Sequence, residues 1–280
     1  MPEKLALGTA QFGLDYGINN SLGKTPEKEV SKILSLAEEA GINCLDTAYA
    51  YGTSEETLGR NNLNSFKIVS KFPSVEPSKN LNEYLYDSLK KLNTKAIYGY
   101  LAHNSQVLIQ NQNLWDELQS AKKLGKVKKI GYSLYQPSEL HKLLELGMFP
   151  DLIQVPFNIL DQRFRHDLIG LAKEGVEIHT RSCFLQGVFF QDPQKLDAFF
   201  EKVKPFLADL ALNYPTNSER AAFLLDYCTS QPFIHKVVIG VNNYQQLSDN
   251  LTGQYNKNGS LLMNIPTIPD KILLPTYWPS

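Results

Sequence analysis

The feature of this sequence that most constrains its fold is a regular alternation of short apolar runs with amphipathic stretches. The apolar runs have the length and composition of strands, whereas the stretches between them repeat apolar residues at the three- and four-residue spacing of one helix face. Strands that alternate with helices predict a parallel sheet. The eight predicted strands cover residues 5–9, 42–47, 67–71, 97–103, 128–133, 152–157, 176–182 and 236–240.

The ends of the predicted helices carry local signals. The first helix is predicted to begin with Thr25 as its N-cap and Pro26 in the first helical position. Four helices are predicted to end at a glycine just before the next strand, since glycine readily adopts the left-handed conformation that closes a helix. These glycines are Gly41, Gly125, Gly147 and Gly175.

Eight strand–helix units in 280 residues fit a closed (β/α)₈ TIM barrel of about 250 residues plus insertions. An open doubly wound sheet is the alternative, but it would favour a G-x-G-x-x-G pattern after the first strand, and "GTAQFGLDYG" does not match that spacing. We therefore predict a single α/β barrel domain over residues 1–280. An insertion after strand seven, residues 183–215, is expected to contain a helix over 193–211, and a proline-rich tail, 265–280, is expected near the barrel mouth.

The composition argues against several classes of function. The net charge is -1, which gives no basic surface for nucleic acid. Three widely spaced cysteines, Cys44, Cys183 and Cys228, fit neither a disulfide framework nor a metal site. No run approaches the roughly 18 apolar residues of a membrane span, and the first residues do not resemble a signal peptide. We expect a cytoplasmic protein that acts on a small molecule, without metal, membrane or nucleic acid, and in an oligomeric state that the sequence leaves open.

Polar residues stand where several of the predicted strands end. Asp46 ends strand two, Lys71 ends strand three and His103 ends strand four. In a barrel of this kind the active site lies at the C-terminal ends of the strands. Because an unpaired charge is costly to bury, Asp46 and Lys71 are predicted to form an ion pair. A structural ion pair with no catalytic role remains the alternative.

Tyr51 favours a catalytic interpretation of this group. An ordinary tyrosine has a pKa near 10, and a nearby ammonium lowers it. We expect Lys71 to lower the pKa of Tyr51, Asp46 to orient Lys71, and His103 to donate a hydrogen bond to the substrate. Such a set suits protonation of a carbonyl oxygen while hydride arrives at its carbon.

Several segments, in this order and spacing, resemble the aldo-keto reductases: "LDTAYAYGTSEETLG", "KIVSK", "YLAH", "KKIGYS" and "IQVPFN". The resemblance extends from about residue 5 to residue 252. It implies a (β/α)₈ barrel, a nicotinamide cofactor that is more often NADP(H) than NAD(H), and a catalytic tetrad of Asp46, Tyr51, Lys71 and His103.

The resemblance also implies a set of cofactor-binding residues. Ser133 and Gln154 would hold the nicotinamide carboxamide, and Arg181 stands where many members have a tyrosine stacked on the nicotinamide. Others would contact the pyrophosphate after strand seven or the adenine side after strand eight. The full set is Gly8, Thr9, Asp46, Ser133, Gln154, Arg181, Ser182, Gln186, Gly187, Gly240, Asn242, Gln246 and Asn250.

This sequence departs from the family pattern in three places. Leu134 replaces an asparagine that often follows Ser133, and Arg181 adds a charge beside the expected ring. Residues 240–250 contain no Lys or Arg to grip the 2′-phosphate of NADPH, so a modest preference over NADH is expected.

These residues predict an oxidoreductase that reduces an aldehyde or ketone, including a sugar or sugar derivative, to an alcohol. Two alternatives stay open. A Schiff-base lyase would use Lys71 as its nucleophile. A cofactor-sensing binding module would keep the same barrel without turnover.

Overall fold

The strands predicted from the apolar runs form a closed parallel barrel in the computed structural model, which describes residues 2–17, 20, 23–76, 79–254 and 265–279. Each strand pairs with the next in sequence order, and the last pairs with the first. Within the described residues the eight strands are β1 (Leu5–Gly8), β2 (Cys44–Asp46), β3 (Lys67–Phe72), β4 (Ile97–Ala102), β5 (Val127–Ser133), β6 (Leu152–Pro156), β7 (Glu177–Arg181) and β8 (Lys236–Gly240).

Helices connect the strands and surround the barrel. Their apolar faces pack on its outer wall, as the three- and four-residue spacing predicts. Over the described part of the chain they are α1 (Glu27–Glu39), α2 (Ser54–Gly59), α3 (Leu81–Lys91), α4 (Gln106–Gln110), α5 (Asn113–Lys123), α6 (Pro137–Glu145), α7 (Arg165–Lys173), α8 (Lys204–Asn213), α9 (Asn217–Thr229), α10 (Tyr244–Thr252) and α11 (Asp270–Leu273).

The predicted helix ends are confirmed and one predicted start is wrong. The four glycines expected to close helices all have positive φ, between +70° and +84°. At the start of α1, the N-cap is Pro26, in an extended conformation, and not Thr25. The Thr25 hydroxyl donates instead to the carbonyl oxygen of Asn242 at 3.2 Å, which ties the start of α1 to the segment after β8.

The apolar core has two parts. A large cluster fills the space between the strands and the surrounding helices. A much smaller cluster lies apart from it, and its buried members are contributed by five different strands: Ala6, Cys44, Val69, Leu101 and Leu152. The three cysteines are buried free thiols, as expected.

The insertion after β7 is less helical than predicted. Two short 3₁₀ segments, Leu185–Phe190 and Ala198–Phe200, precede α8. The helix begins at Lys204, eleven positions after the predicted start at residue 193. Lys204 is followed directly by Pro205, and proline is favoured in the first turn of a helix.

The tail packs beside the barrel mouth, as predicted. The Trp278 indole donates to the carbonyl oxygen of Ile272 at 2.9 Å, and its ring centroid lies 5.2 Å from that of Phe200, in the insertion after β7. Asp270 pairs with Arg163, in the loop after β6, at 3.4 Å. The loops after these strands lie at the C-terminal face. Residue 280 of the predicted tail lies outside the described residues.

Across the described residues, no helix combines the length and the apolar character needed to cross a bilayer.

Candidate active site

Asp46 and Lys71 form a buried ion pair at the C-terminal ends of β2 and β3. The Lys71 Nζ atom lies 2.7 Å and 2.8 Å from the two carboxylate oxygens of Asp46, and it donates to the carbonyl oxygen of Thr47 at 2.9 Å. The two side chains are 1% and 4% exposed. Both charges can be buried here because each is the other's partner. The predicted pairing is confirmed.

Tyr51 lies in the turn after β2, and neighbouring groups fix this turn from two sides. The Ser54 hydroxyl donates to the carbonyl oxygen of Thr9 at 2.8 Å and lies 3.1 Å from the Thr47 hydroxyl. On the other side, a Cβ atom on Gly13 would lie 1.8 Å from the carbonyl oxygen of Tyr51. Only glycine permits this approach of the loop after β1 to the Tyr51 backbone.

The rings of Tyr51 and His103 meet beside the buried ion pair. The Lys71 Nζ atom lies 5.2 Å from the centroid of the Tyr51 ring. The Tyr51 and His103 ring centroids are 5.6 Å apart, with an angle of 85° between the planes. His103 directly follows β4, and its backbone N–H donates to the carbonyl oxygen of Phe72 at 3.0 Å. The structure thus brings the four predicted tetrad residues together.

The predicted direction of the Tyr51 pKa is wrong. Burial raises the pKa of Tyr51 well above its ordinary value, and the negative charge of Asp46 raises it further. The ammonium of Lys71, which donates to both carboxylate oxygens of Asp46, does not reverse this rise. The cation that opposes the rise is Arg181. Tyr51 is therefore protonated at neutral pH and has a proton to donate.

His103 is also neutral at neutral pH. Burial lowers the pKa of His103 to about 4, and the positive charges of Lys71 and Arg181 act in the same direction, against the opposing charge of Asp46. A neutral imidazole carries one N–H donor and one acceptor nitrogen. The mouth of the barrel therefore presents two neutral donors, a phenol and an imidazole, side by side.

Ser133, at the end of β5, lies next to Gln154, in the middle of β6, because the strand register pairs them directly. Both side chains are buried. The Gln154 Nε2 atom donates to Asp46 Oδ2 at 2.6 Å, so Gln154 also orients the carboxylate. This contact was not predicted from the sequence, because 108 positions separate the two residues.

Arg181 ends β7 and reaches across toward the end of β5. Its Cζ atom lies 4.2 Å from the centroid of the Tyr135 ring. Its Nη2 atom donates to the carbonyl oxygen of Leu134 at 3.0 Å, and its Nη1 atom lies 3.4 Å from the hydroxyl of Ser182. Sequence reasoning placed Arg181 near the cofactor and did not predict its stacking on Tyr135.

The loop after β7 has a strained backbone. Ser182, Leu185 and Gln186 have positive φ angles of 64°, 44° and 50°, and Gly187 follows with 96°. Residues other than glycine rarely adopt this region, and such strain concentrates at ligand-binding loops. The Gln186 side chain donates to the Tyr16 hydroxyl at 3.2 Å, which links this loop to the one after β1.

The segment after β8 forms the start of α10. The side chain of Asn243 accepts a hydrogen bond from the backbone N–H of Gln246 at 2.9 Å, and Gln246 Oε1 accepts one from the backbone N–H of Asn242 at 2.8 Å. Asn250 is buried further along the helix, and Gly240 is exposed at the strand end. Asn242 and Gln246 thus lie together at the start of α10.

Two cationic side chains that are close in sequence to the segment after β8 make their contacts away from it. Lys236 donates to the carbonyl oxygen of Glu3 and to the Asn43 side chain, which places its ammonium at the N-terminal end of the barrel. Arg220 donates to two backbone carbonyl oxygens in the turn before α9. A third cation was missed by sequence reasoning, since Lys32 on α1 lines a surface hollow together with Asn243, Tyr244 and Gln245.

A family model described as the Aldo/keto reductase family matches residues 4–253 of the chain. This chain belongs to the aldo/keto reductase family. As a member it is an NAD(P)-dependent oxidoreductase.

Individual proteins agree with this assignment. An uncharacterized oxidoreductase of Bacillus subtilis, YqkF, is 25% identical, and the match covers 89% of this chain and 90% of YqkF. The methylglyoxal reductase DkgA of Escherichia coli is 31% identical over about half of each chain, 50% and 53%. Among solved structures, an aldo-keto reductase from Klebsiella pneumoniae in complex with NADPH shares the fold with a TM-score of 0.67 at 16% identity, over 89% of this chain and 84% of the other.

The donors at the mouth of this aldo/keto reductase fit a nicotinamide nucleotide. Ser133 and Gln154 together offer a hydroxyl and an amide oxygen, which can bind both ends of a carboxamide. Successive backbone N–H groups in left-handed conformations, as in the loop from Ser182 to Gly187, can form a concave anion site suited to a pyrophosphate.

Three of the predicted cofactor residues of this aldo/keto reductase are engaged within the protein. Both oxygens of Asp46 are bound by Lys71, and the Thr9 hydroxyl donates to the carbonyl oxygen of Asp46 at 3.0 Å. Gly8 packs on β8, where a Cβ atom would lie 3.1 Å from Val238. These contacts fix the ends of β1 and β2 at the mouth.

Proposed function

We propose that this protein reduces a small aldehyde or ketone to the corresponding alcohol, and that residues 1–280 act as a single catalytic domain. The observation that carries the proposal is the pair of neutral donors, Tyr51 and His103, held beside the buried Asp46–Lys71 ion pair. Hydride transfer to a carbonyl carbon leaves negative charge on the oxygen. Both donors can form hydrogen bonds to that oxygen, and one of them can protonate it.

Each member of the tetrad has a role that follows from its contacts. Tyr51 donates the proton to the carbonyl oxygen. His103 donates a second hydrogen bond that orients the same oxygen. Lys71 places a positive charge beside the phenol ring as negative charge develops, and Asp46 fixes the position of Lys71. A nicotinamide cofactor, when bound, supplies the hydride.

Cofactor binding is assigned to both sides of the mouth. Ser133 and Gln154 hold the carboxamide, and Arg181 lies against the nicotinamide. The loop from Ser182 to Gly187 contacts the pyrophosphate, and the segment from Gly240 to Asn250 contacts the adenosine. NADPH is preferred over NADH by a modest factor, because residues 240–250 contain no cation for the 2′-phosphate. The NADPH complex of the Klebsiella pneumoniae relative supports this choice of cofactor.

The substrate class is supported by chemistry and by a relative. Methylglyoxal, after which the Escherichia coli relative methylglyoxal reductase DkgA is named, is a small molecule with an aldehyde group. A substrate of that size could reach two donors that lie side by side. A sugar in its open aldehyde form belongs to the same chemical class.

The contacts of Lys71 argue against the lyase. A Schiff base requires a neutral amine with a free lone pair. The three N–H groups of Lys71 have three acceptors within 2.9 Å, namely both Asp46 oxygens and the Thr47 carbonyl oxygen. This environment stabilises the ammonium, so Lys71 is a poor nucleophile.

The test is a screen of aldehydes and ketones, methylglyoxal and open-chain sugars among them, with NADPH and with NADH. Consumption of the reduced cofactor is followed by absorbance, and formation of the alcohol by mass spectrometry. Cofactor binding without turnover of any carbonyl compound would favour the cofactor-sensing module. Trapping of a substrate on Lys71 by borohydride would revive the lyase.

A further inference from the structure

Arg181 carries a positive charge that no carboxylate of the described residues neutralises by direct pairing. Its guanidinium contacts a carbonyl oxygen, a hydroxyl and the ring of Tyr135. Arg163 and Arg60, in contrast, each pair with a carboxylate. The other charges close to the reacting groups are those of Asp46 and Lys71, which cancel as a pair. With Tyr51 and His103 neutral, Arg181 leaves the mouth with a net positive charge.

The charge of Arg181 affects the pKa values of the two proposed proton donors. It opposes the rise in the pKa of Tyr51 that burial and Asp46 cause, and it adds to the fall in the pKa of His103 that burial causes. The reacting carbonyl carbon is bonded to the oxygen that Tyr51 protonates, and hydride transfer requires the nicotinamide to be close to that carbon. A nicotinamide bound beside Tyr51 and His103 would therefore experience the charge of Arg181, as these two groups do.

The geometry of the guanidinium favours a flat ring over an anionic substrate. A carboxylate is best bound by two parallel N–H groups at the edge of the guanidinium. Here both terminal nitrogens already have partners, Leu134 and Ser182. The guanidinium also lies 4.2 Å from the centroid of the Tyr135 ring, and a guanidinium stacks readily on planar rings.

The two forms of the cofactor differ in charge at that ring. The oxidised nicotinamide is a pyridinium with one positive charge, and the reduced ring is neutral. A fixed cation beside the ring therefore disfavours the oxidised form. A unit charge about 6 Å away, at an effective dielectric constant of about 20, corresponds to roughly a hundredfold change in a binding constant. Solvent at the open mouth reduces this toward roughly tenfold.

We propose that Arg181 makes this enzyme bind the reduced cofactor more tightly than the oxidised one and so favours reduction over alcohol oxidation. The inference rests on the proposed function, since it assumes that the nicotinamide binds at this mouth. Arg181 acts on the charge of the ring alone. It leaves the phosphate contacts, which both forms of the cofactor share, unchanged.

The experiment measures dissociation constants for NADPH and NADP⁺ by protein fluorescence, in the wild type and in three variants. The quantity to compare is the ratio of the NADP⁺ constant to the NADPH constant, because contacts common to both forms cancel in it. Arg181→Met removes the charge, and Arg181→Lys keeps it. Arg60→Met is the matched control, since the charge of that surface arginine is paired with Glu27.

We expect the wild-type protein to bind NADPH at least tenfold more tightly than NADP⁺. The ratio should fall roughly tenfold or more in Arg181→Met. It should stay within a fewfold of wild type in Arg181→Lys and remain unchanged in Arg60→Met. An Arg181→Met variant that binds both forms with the wild-type ratio would overturn the inference.

Other outcomes distinguish failure of this inference from failure of the proposed function. If Arg181→Met does not fold, Arg181→Gln replaces it, and the inference fails if that variant keeps the wild-type ratio. If neither NADPH nor NADH binds the wild type, the proposed function fails as well. A wild-type ratio in Arg181→Met, together with a selective loss of activity on carboxylate-bearing aldehydes, would assign Arg181 to the substrate and overturn its role at the ring.

Discussion

The strands of this barrel carry two buried or partly buried carboxylates, one near each end of the barrel. Only the carboxylate at the C-terminal end has uncommitted proton donors beside it. Asp46 ends β2 and is held by Lys71 and Gln154. Glu177 begins β7, at the opposite end, and is held by Lys129 at 2.6 Å and by the ring of His179 at 2.7 Å. A tyrosine accompanies each carboxylate, Tyr51 at the mouth and Tyr98 at the floor.

The two tyrosines differ in what their hydroxyl groups do. The Tyr98 hydroxyl donates to Glu177 at 2.6 Å, so its proton is committed. Burial alone would raise the pKa of Glu177, but the bonds from His179, Lys129 and Tyr98 hold it below its ordinary range. The Tyr51 hydroxyl has no hydrogen-bond partner among the described residues, and Asp46 is satisfied by other groups. On the proposed function, the ion pair that has an uncommitted phenol beside it is the reactive one.

The largest expected effect comes from removing each phenol hydroxyl. Tyr51→Phe should lower turnover by roughly 10²–10⁴-fold, the usual contribution of a general acid, while cofactor binding stays intact. Tyr98→Phe should leave turnover within about twofold of wild type. Single-turnover kinetics on a substrate from the screen, with binding measured separately, test this pair. Wild-type chemistry in Tyr51→Phe would mean that another group is the acid.

Substitution of the lysine at each end of the barrel should also change the free energy of unfolding by different amounts. Lys71→Met should abolish most activity and cost about 3–5 kcal/mol, because it leaves a buried, unpaired Asp46. Lys129 is 25% exposed and Glu177 keeps two other donors, so Lys129→Met should cost only about 1 kcal/mol and leave activity intact. Denaturant unfolding of both variants measures the difference. Equal losses would show that the pair at the mouth is no more buried in solution than the pair at the floor.

His103 should make stability depend on pH. Its pKa of about 4 in the folded protein lies below its ordinary value near 6.5, so the unfolded chain binds the proton more readily between these values. Stability from this group is fully present above pH ~6.5 and is lost as the pH falls toward ~4.

Between pH ~6.5 and ~4, the free energy of unfolding of His103→Gln should therefore fall by roughly 2–3 kcal/mol less than that of the wild type. His166→Gln, on the exposed side of α7, is the control and should follow the wild type. Unfolding free energies at several pH values decide the point, and parallel curves for wild type and His103→Gln would contradict a neutral buried His103.

The smallest effect is expected on the adenosine side, where no buried ion pair exists among the described residues. Lys32 lines the hollow beside Asn243, but its ammonium lies 3.4 Å from Glu29, which would repel a phosphate. We expect NADPH to bind about tenfold more tightly than NADH, in keeping with neutral hydrogen bonds of about 0.5–1.5 kcal/mol each.

Lys32→Met should reduce that preference by a fewfold, and Lys28→Met, on the same helix, should not. Dissociation constants at one ionic strength test both variants. A preference above roughly a thousandfold in the wild type would require a stronger phosphate contact than any described here.

The sequence predicts the barrel well because its signals are local. Strand ends, helix-closing glycines and the alternation of strands with helices each depend on a few neighbouring residues. The same logic predicts the meeting of Asp46 and Lys71, since adjacent strand ends must lie together.

What the sequence could not predict depends on side chains that meet across the barrel. The bond from Gln154 to Asp46 and the stacking of Arg181 on Tyr135 depend on strand register and on rotamers. The pKa of Tyr51 was predicted in the wrong direction because the prediction considered the charge of Lys71 and left out the burial of the phenol, which is the largest cause of the rise. The start of α1 differs by one residue because Pro26 is itself extended there.

The docked tail gives the protein a built-in optical reporter. The sequence contains two tryptophans, and they sit in different surroundings. Trp115 is buried on α5, 6.2 Å from the Tyr132 ring, and Trp278 packs on Phe200 beside the mouth. Since indole emission depends on polarity, Trp115→Phe would leave a signal that follows the tail alone. Its emission spectrum would distinguish undocking of the last residues from unfolding of the barrel, without any attached dye.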